Sequence, residues 1–528
     1  MDERRRKMKW DVIVVGGGPS GLTVAAELAG MGVRTLVLER RTGGVQSRAG
    51  TILPRVLELF DARGIADRFI ERTRTIVNYP FRRSHIWAGF PGIQWQYLDS
   101  RFGFTLGLPQ NLTEDILWSW ALENGVEIRQ GEEVCELRQD EIGVEVETVG
   151  VSGASTTFHA RYLIGADGGR STVRTKSGIP FDGHSGTFRG IAVDTVLDAP
   201  WHGKRIDVNN EMGWARGYAF GAGITRFNIV HRDRRRAPKD ETVTVDEIRQ
   251  CLRDIHGTDY GIEQLHWASR FDDTMRSVPS FRSGRVMLVG ESARIHYPAS
   301  GVGMNFCLQD AFNLGWKLAN VVNGTADAST LDSYDAERLP VMHALLESVK
   351  AQCALQFNFE PDAVALKRRM AQHIISLPDV QRKLVRELSG LEQPYPCDDG
   401  SHPLSGHRLP DFDMVTLDGQ SVRVAELLRN RRFVLLDLEG ESNQFASIVT
   451  GGLPVDVVQA RLAHVPASMD GVSGLLVRPD GYVAWASSET GRAEEVLTQI
   501  RKWMHVPAKS TLSQGAGPAS HDDRSGIE

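Results

Sequence analysis

The first part of the chain alternates short apolar runs with helical patterns. Residues 10–15 form an apolar, β-branched run, and residues 22–33 place apolar side chains at helical spacing. A second apolar run at 35–40 completes a strand–helix–strand unit of about thirty residues. Further helical patterns cover 53–70 and 111–124. This order predicts an α/β fold that begins with a βαβ unit.

The pattern changes in the middle of the chain. From 181 to 284, short alternating segments rich in aromatic residues predict a mainly antiparallel sheet that forms a separate lobe. A buried-strand pattern at 285–290 and a long amphipathic helix at 303–322 then resume the earlier pattern. We therefore expect residues 1–180 and 285–392 to form one domain, with the lobe inserted between them.

A third pattern follows a stretch rich in proline and glycine at 393–411, which predicts a linker. Beyond it, apolar strands and a final helix predict a small α/β domain at 406–508. Residues 509–528 are polar and aperiodic, and we expect them to be disordered.

Composition narrows the class of protein. The 528 residues are 41% hydrophobic and 24% charged with a net charge of −6, which is typical of a globular protein and makes nucleic acid an unlikely partner. The five cysteines include no C-x-x-C pair, so we expect no metal site and a reducing cytoplasmic location. No run of about 18 apolar residues occurs, which argues against a membrane span.

The turn after the first strand carries a dinucleotide-binding pattern. Its six residues are Gly16, Gly17, Gly18, Pro19, Ser20 and Gly21, and they fit G-x-G-x-x-G between a strand and a helix. Bare backbone at a helix start lets a pyrophosphate approach unpaired N–H groups. Glu39, 18 residues past Gly21 and followed by Arg40, is placed to bind an adenosine ribose. An acid there favours FAD or NAD over NADP.

Four later stretches lie in order along the chain: SRAGTILPRVLELFDARGI at 47–65, LPQ at 108–110, LIGADGGRSTVR at 163–174 and GRVMLVGESARIHYPASGVGMNFCLQDAFNLGWKLA at 284–319. With the glycine turn, they resemble the single-component FAD-dependent aromatic hydroxylases, the p-hydroxybenzoate hydroxylase-like (class A) flavoprotein monooxygenases. GHRLPDF and LLVRPDGYVAW, beginning at 406 and 475, resemble the C-terminal thioredoxin-like domain of the polyketide and phenol hydroxylase branch. The resemblance implies a Rossmann-like FAD domain, a substrate lobe and a thioredoxin-like domain.

The resemblance also implies roles for single residues. Arg48 matches an arginine that reaches the FAD pyrophosphate, and Gln110 matches a glutamine on the ribityl chain. Asp167 and Gly168 match a motif that serves both FAD and NAD(P)H. Glu291 stands where the family has an aspartate that holds a ribityl hydroxyl.

The loop before the long helix is implied to pass beside the flavin. The residues expected at the pyrimidine end are Gly301, Val302, Gly303, Met304 and Asn305, whose helix start would stabilise a flavin anion. The loop departs from the family at four positions, Arg294, Tyr297, Ser300 and Val302, where the family has His, Pro, Gly and Gln. His296 is a candidate catalytic base, although a loop histidine more often holds a hydrogen bond. Arg48 and Pro298 are the other candidate catalytic residues.

Aromatic residues of the lobe and its neighbourhood are candidates for stacking on a polycyclic substrate: Trp95, Tyr97, Phe102, Phe104, Trp214, Tyr218, Phe220 and Phe227. At alternating spacing, however, aromatic residues more often belong to a sheet core. The run HRDRRR at 231–236 is typical of a solvated loop.

The resemblance implies a monooxygenase in which NADPH or NADH, bound transiently, reduces FAD. The reduced flavin reacts with O2, and a C4a-hydroperoxyflavin hydroxylates a polycyclic aromatic, polyketide-type substrate. Three alternatives remain open from the sequence: a Baeyer–Villiger or ring-opening monooxygenase, a flavin- and aromatic-binding protein without turnover, and an NAD dehydrogenase. Either a monomer or a homodimer is compatible with the sequence.

Overall fold

The computed structural model describes residues 8–44, 49–76, 80–197, 206–221, 223–438, 445, 454–489 and 493–505. Two sequence predictions, the contact made by Arg48 and the disordered tail at 509–528, lie outside these residues.

The elements of the first 176 residues are β1 (Val12–Val15), α1 (Pro19–Ala29), β2 (Thr35–Glu39), α2 (Pro54–Asp61), α3 (Ala66–Arg74), β3 (Phe81–Arg82), β4 (Ser84–Trp87), β5 (Phe90–Gln94), β6 (Thr105–Leu106), α4 (Gln110–Glu123), β7 (Glu127–Gln130), β8 (Glu132–Gln139), β9 (Val144–Gly150), β10 (Ser155–Ala160), β11 (Tyr162–Gly165) and α5 (Thr172–Lys176).

The elements of the middle of the chain are β12 (Asp182–His184), β13 (Arg189–Thr195), β14 (Ile206–Asn210), β15 (Gly213–Gly221), β16 (Ile224–His231), α6 (Val245–His256), β17 (Leu265–Asp272), β18 (Met275–Ser277), β19 (Arg282–Ser283), β20 (Val286–Leu288), β21 (Arg294–Ile295), α7 (Gly303–Val322), α8 (Asp332–Gln356), α9 (Pro361–His373) and α10 (Pro378–Ser389). The last region contains β22 (Asp413–Thr416), β23 (Ser421–Arg423), α11 (Val424–Leu427), β24 (Phe433–Asp437), β25 (Val455–Leu462), β26 (Gly474–Val477), β27 (Val483–Ser487) and α12 (Ala493–Trp503).

The first sheet has the strand order β19-β20-β11-β1-β2-β7, and every pairing except β19 with β20 is parallel. Its central strand β1 is buried along its whole length, as a parallel strand covered on both faces must be. Parallel strands end at the same edge of a sheet, so the residues that follow β1, β11 and β20 meet there. The predicted α/β class is confirmed.

The middle of the chain forms the antiparallel sheet β14-β15-β16-β13-β17. Helix α6 covers one face, where its Ile248 and Leu252 pack with Val193 and Ile229. A small sheet, β12-β18-β21, joins this region to the segment before α7. The predicted mainly antiparallel lobe is therefore present.

The last region folds as the mixed sheet β23-β22-β25-β24-β26-β27, with β24 and β25 parallel. It docks on the first region through buried ion pairs. Arg63 makes two 2.7 Å hydrogen bonds to Glu27 of α1, and it also donates to the carbonyl oxygens of Leu428 and Pro479. Arg431 adds a 3.2 Å hydrogen bond to Glu27.

A second buried cluster lies at the same interface. Glu337 of α8 accepts hydrogen bonds from Lys317 at 2.7 Å and from both terminal nitrogens of Arg478 at 2.6 and 2.9 Å. Asp480 also pairs with Arg478 and accepts a hydrogen bond from the Trp316 indole at 3.1 Å. These residues are at most 4% exposed, so the cluster is shielded from water.

Two local predictions differ from the structure. The helical pattern at 53–70 is divided into α2 and α3 because Gly64, with a φ of 71°, ends the first helix. The predicted linker at 393–411 contains no helix or strand, but its Tyr395 is buried and stacks on Tyr482 with 3.9 Å between ring centroids. None of the described helices combines the length and apolar character needed to cross a bilayer.

Candidate active site

The turn between β1 and α1 requires glycine at its first and last positions. Gly16 has a φ of 106°, and a Cβ on it would lie 2.4 Å from the Ala166 carbonyl oxygen. A Cβ on Gly21 would lie 1.9 Å from the Gly16 carbonyl oxygen. At Gly18 a Cβ would have no atom within 4 Å, and no side chain caps α1 there; Pro19 follows as the first helical residue. The start of α1 therefore faces open space, which fits the pyrophosphate of FAD.

The segment before α7 reaches the same edge of the sheet. A Cβ on Gly290 would lie 2.6 Å from Ser20 Oγ, so Ser20 of α1 touches the short turn that contains the exposed Glu291. The two segments that the sequence predicts at FAD are thus neighbours, although they are some 270 residues apart.

Glu39 ends β2 beside the glycine turn and is 5% exposed. Its Oε2 accepts a 2.7 Å hydrogen bond from the Gly17 N–H, and Arg41 donates to both carboxylate oxygens. Burial alone would raise the pKa of Glu39, but these hydrogen bonds outweigh it and hold the pKa below its usual value. Arg40 points away and is exposed, 3.8 Å from Glu133.

Arg41 is a site residue that the sequence reasoning missed. It links Glu39 to Glu114 of α4, whose Oε2 lies 3.5 Å from the Arg41 guanidinium. Glu114 also accepts a 2.9 Å hydrogen bond from Gln110, which in turn bonds the backbone of Ala49. The sequence could have indicated this role. Residues two apart at the end of a strand point to the same side, so Arg41 was expected to lie beside Glu39.

Asp167 follows β11 at the same edge. Its carboxylate accepts hydrogen bonds from Ser171 Oγ at 2.5 Å and from the Val173 N–H at 3.1 Å, so it caps the start of α5. Burial raises the pKa of Asp167. The next residue, Gly168, has a φ of 78° and lets the chain turn toward α5.

The start of α7 is tied to the segment after residue 48. Asn305 is fully buried, and its side chain accepts from the Leu53 N–H at 2.8 Å and donates to the Thr51 carbonyl at 3.1 Å. Thr51 Oγ1 also donates to the Gly301 carbonyl at 3.1 Å. Val302 precedes the helix and is buried. Gly303 and the partly buried Met304 form its first turn.

Arg294, where the family has histidine, points into the core and away from this loop. It is 1% exposed and donates a 2.6 Å hydrogen bond to Asp310 of α7, which also binds Arg338 at 2.7 Å. Arg294 therefore fastens the loop base to α7 and α8.

His296 lies over the first residue of α7, where a Cβ on Gly303 would be 3.5 Å from its ring. Its Nδ1 donates a 2.7 Å hydrogen bond to the Tyr297 carbonyl, which leaves Nε2 as an acceptor. Burial and, to a smaller extent, Arg294 lower the pKa of His296 to about 4. The imidazole is thus neutral at physiological pH and a weak base. Pro298 is exposed.

Ser300 has a φ of 53°, a left-handed conformation that the family's glycine adopts without strain. His85 of β4 contacts the Ser300 carbonyl oxygen through Nε2 at 2.7 Å. The Ser300 hydroxyl donates to Gln352 of α8 at 2.7 Å. The Trp95 indole N–H donates to Thr105 Oγ1 at 2.7 Å, and His85 Nδ1 lies 3.2 Å from the same hydroxyl oxygen. Because a carbonyl oxygen only accepts, His85 Nε2 carries the proton that faces Ser300.

The predicted substrate aromatics lie in different places. Trp95 is fully buried beside His85, and Tyr97 and Phe104 are partly buried. Trp214 is 3% exposed and packs edge-on against Phe357 at 5.8 Å.

Phe227 lies on the opposite face of the sheet, fully buried against Tyr260 and under α6. Two further candidates, Tyr218 and Phe220, lie on β15 and share the face that carries Trp214. A Cβ on Gly50 would lie 2.6 Å from the Phe220 ring, which places this ring over the segment that follows Arg48.

Comparison with known families agrees with this geometry. Residues 9–349 match the FAD binding domain family, and residues 402–507 match the aromatic-ring hydroxylase C-terminal family. The chain therefore belongs to the FAD-dependent aromatic-ring monooxygenases, and the class predicted from its motifs is confirmed.

Individual relatives cover almost the whole chain. The solved structure of OxyS anhydrotetracycline hydroxylase from Streptomyces rimosus is 35% identical, with a TM-score of 0.84 over 94% of this chain and 100% of that one. The uncharacterized aromatic compound monooxygenase YhjG of Bacillus subtilis is 35% identical over 507 residues, 95% of this chain and 99% of that protein. A rifampicin monooxygenase of Streptomyces venezuelae is 36% identical over 504 residues, 94% and 98% of the two chains.

Proposed function

We propose that this protein hydroxylates a polycyclic aromatic substrate with FAD, NAD(P)H and O2. The observation that carries the proposal is the meeting of the open glycine turn with the loop before α7 at one sheet edge, shown by the contact between Ser20 and Gly290. Relatives named for anhydrotetracycline and rifampicin support a large multi-ring substrate.

The residues around this edge would hold FAD along its length. The glycine turn would take the pyrophosphate, and Glu39 would take the adenosine ribose after exchanging a contact with Arg41. Gln110 and Glu291 would serve the ribityl chain, and the start of α7 would face the flavin ring. Bound FAD supplies the redox chemistry, since it accepts a hydride from NAD(P)H and activates O2 at C4a.

The protein's own groups would act by position and charge. The backbone N–H groups that open α7 favour negative charge beside them. His296, neutral and with Nε2 unprotonated, would present a hydrogen-bond acceptor beside the start of α7 and would not carry a charge at neutral pH. The N-terminal turn is the single dinucleotide fingerprint of the sequence, so the nicotinamide nucleotide would bind transiently and share Asp167 and Arg48 with FAD.

The test begins with purification and a substrate panel. We expect the protein to purify yellow, with a flavin spectrum, and to oxidise NAD(P)H faster when a suitable multi-ring phenol or quinone is added. Mass spectrometry after incubation with isotopically labelled O2 should show one labelled oxygen on the aromatic ring.

Other results would select the alternatives. Labelled oxygen inserted between a carbonyl carbon and its neighbour would indicate Baeyer–Villiger chemistry. A yellow protein that binds the panel compounds without stimulated NAD(P)H oxidation would contradict the enzymatic proposal.

A further inference from the structure

A cavity of about 520 Å³ lies between the middle sheet and the end of α8. This volume falls within the roughly 300–1,000 Å³ of small-molecule sites. Three phenyl rings line it, those of Phe188, Phe357 and Phe359. Phe357 and Phe359 are 5% and 2% exposed and form an apolar floor, while the partly buried Phe188 offers more of its surface to an aromatic ligand.

The cavity adjoins the loop that carries Pro298 and Ser300. The Tyr297 ring lies 5.9 Å from the Phe188 ring and 5.1 Å from the Phe357 ring, measured between centroids. Tyr297 is buried and directly precedes Pro298. One side chain thus separates the cavity from the loop predicted to face the flavin.

The charged groups of the lining are mostly cations. Arg232, Arg235 and Lys350 line the cavity, against the carboxylates of Asp273 and Glu360. Glu360 is exposed and lies 3.9 Å from Arg232, the distance of a weak surface pair.

Among the residues that the structure describes, Asp273 forms no ion pair with these cations, and its charge only partly offsets theirs. Its carboxylate accepts hydrogen bonds from the Thr187 N–H at 2.6 Å, the Thr187 hydroxyl at 2.7 Å and the Phe188 N–H at 3.0 Å. The acid is 8% exposed and is engaged in holding the wall of the cavity. The arginine run at 231–236, typical of a solvated loop by sequence, therefore places two of its members in a cavity with excess positive charge.

A buried lysine stands behind the same wall. Lys367 of α9 is 7% exposed and donates to the Asn209 side chain at 2.7 Å and to the carbonyls of Asn358 and Gln356 at 2.8 and 3.3 Å. These three partners are all neutral oxygens. Burial lowers the pKa of Lys367 to about 8, so it still adds positive charge at neutral pH.

We propose that this basic cavity binds the aromatic substrate as an anion, with the rings over the apolar floor beside Phe188 and a phenolate or carboxylate facing the three cations. The inference rests on the proposed function and narrows its substrate class to acidic multi-ring compounds. The phosphates of a nicotinamide dinucleotide are the competing anions for these cations, and the experiment below separates the two occupants.

The test uses calorimetry to measure the Kd of two three-ring probes for the flavin-loaded protein. The probes are anthraquinone-2-sulfonate, an anion, and 2-(hydroxymethyl)anthraquinone, which is neutral. The cavity variant is Arg232→Gln with Lys350→Gln. The control is Arg236→Gln with Lys383→Gln, which removes two exposed charges outside the cavity, one from the same arginine run. We expect the Kd for the sulfonate to rise about tenfold in the cavity variant alone, while the Kd for the neutral probe stays within about twofold.

The proposal would be overturned if the Kd for the sulfonate rose equally in the cavity variant and the control, or if it did not change in the cavity variant. A rise in the KM for NADPH with unchanged probe affinity would assign the cavity to the nucleotide and also overturn it. Substrate oxidation is read separately. If the sulfonate binds as expected but no compound of the panel is oxygenated, the anion site stands and the proposed function fails.

Discussion

At the scale of single residues, backbone conformation decides where a substitution is tolerated. Gly16 and Gly21 have no room for a side chain, whereas Gly18 has open space and an ordinary φ of −79°. Ser300 is the reverse case, because it holds a left-handed conformation with a side chain present. This conformation costs about 1 kcal/mol, which the contacts of Ser300 with His85 and Gln352 offset.

We predict that Gly18→Val folds normally but loses FAD. The valine side chain would fill the space in which the pyrophosphate approaches the backbone, without striking protein atoms. The absorbance ratio of flavin to protein after purification measures the effect. Gly103→Val is the matched control, since a Cβ there also meets no atom within 4 Å. A Gly18→Val protein as yellow as this control would disprove the placement of the phosphate.

We predict that His85→Phe destabilises the protein by about 1–3 kcal/mol, because the Ser300 carbonyl and the Thr105 hydroxyl lose a partner. Ser300→Gly alone should change the stability little, because it removes about 1 kcal/mol of left-handed strain together with a hydrogen bond to Gln352 of similar strength. Urea unfolding of the two single variants and the double variant gives the coupling. Strictly additive effects would show that His85 does not hold this backbone.

At the scale of elements, the apolar pattern was sufficient to predict most helices and strands. The prediction of 303–322 as a helix coincides with α7, and the βαβ unit is present, because both signals are local and periodic. Contacts between distant side chains could not be predicted in this way. His85, Ser300 and Gln352 meet across more than 260 residues, and no spacing in the sequence indicates it.

The glycine turn was predictable because backbone geometry alone demands it. The roles of Gln110, Asp167 and Glu291 stay predictions, since each came from resemblance. Arg294 shows the limit of that reasoning. Arg294 replaces the family's histidine, and its side chain pairs with Asp310, sixteen positions later on α7. It therefore belongs to the core.

We predict that Asp310→Asn destabilises the protein by about 3–5 kcal/mol, because Arg294 and Arg338 would remain buried without their shared anion. Chemical denaturation of the variant, compared with the exposed Asp332→Asn, measures the loss. A difference below about 1 kcal/mol would mean that water reaches these guanidinium groups.

At the scale of the whole molecule, buried charges join the C-terminal domain to the helices of the FAD domain. Glu27 binds Arg63 and Arg431, while Glu337 binds Lys317 and Arg478. Burial opposes ionisation of Glu337, but Arg478 and Lys317 outweigh it and lower the pKa of this carboxyl to about 2. The unfolded chain binds the proton near pH 4.5, so the stabilisation is complete above that pH and is lost as the pH falls toward 2.

We predict that the ionised Glu337 contributes about 3 kcal/mol at pH 7 and progressively less below pH 4.5. The difference in unfolding free energy between the wild type and Glu337→Gln should therefore shrink between pH 5 and pH 3. Glu347→Gln, an exposed change on the same helix, is the control and should show no such trend. A difference independent of pH would contradict the assignment.

The contacts of Glu27 have a practical consequence for anyone building chimaeras from this family. Glu27 lies on the helix that opens at the glycine turn, and its partner Arg63 donates to two carbonyls of the C-terminal domain. Grafting a foreign tail, or deleting this one, would remove Arg431 from Glu27 and would leave the buried Arg63 without two of its carbonyl acceptors, behind the helix that follows the glycine turn. To exchange substrate preference between relatives, the sheet lobe should therefore be transferred, and each C-terminal domain should stay with its own FAD domain.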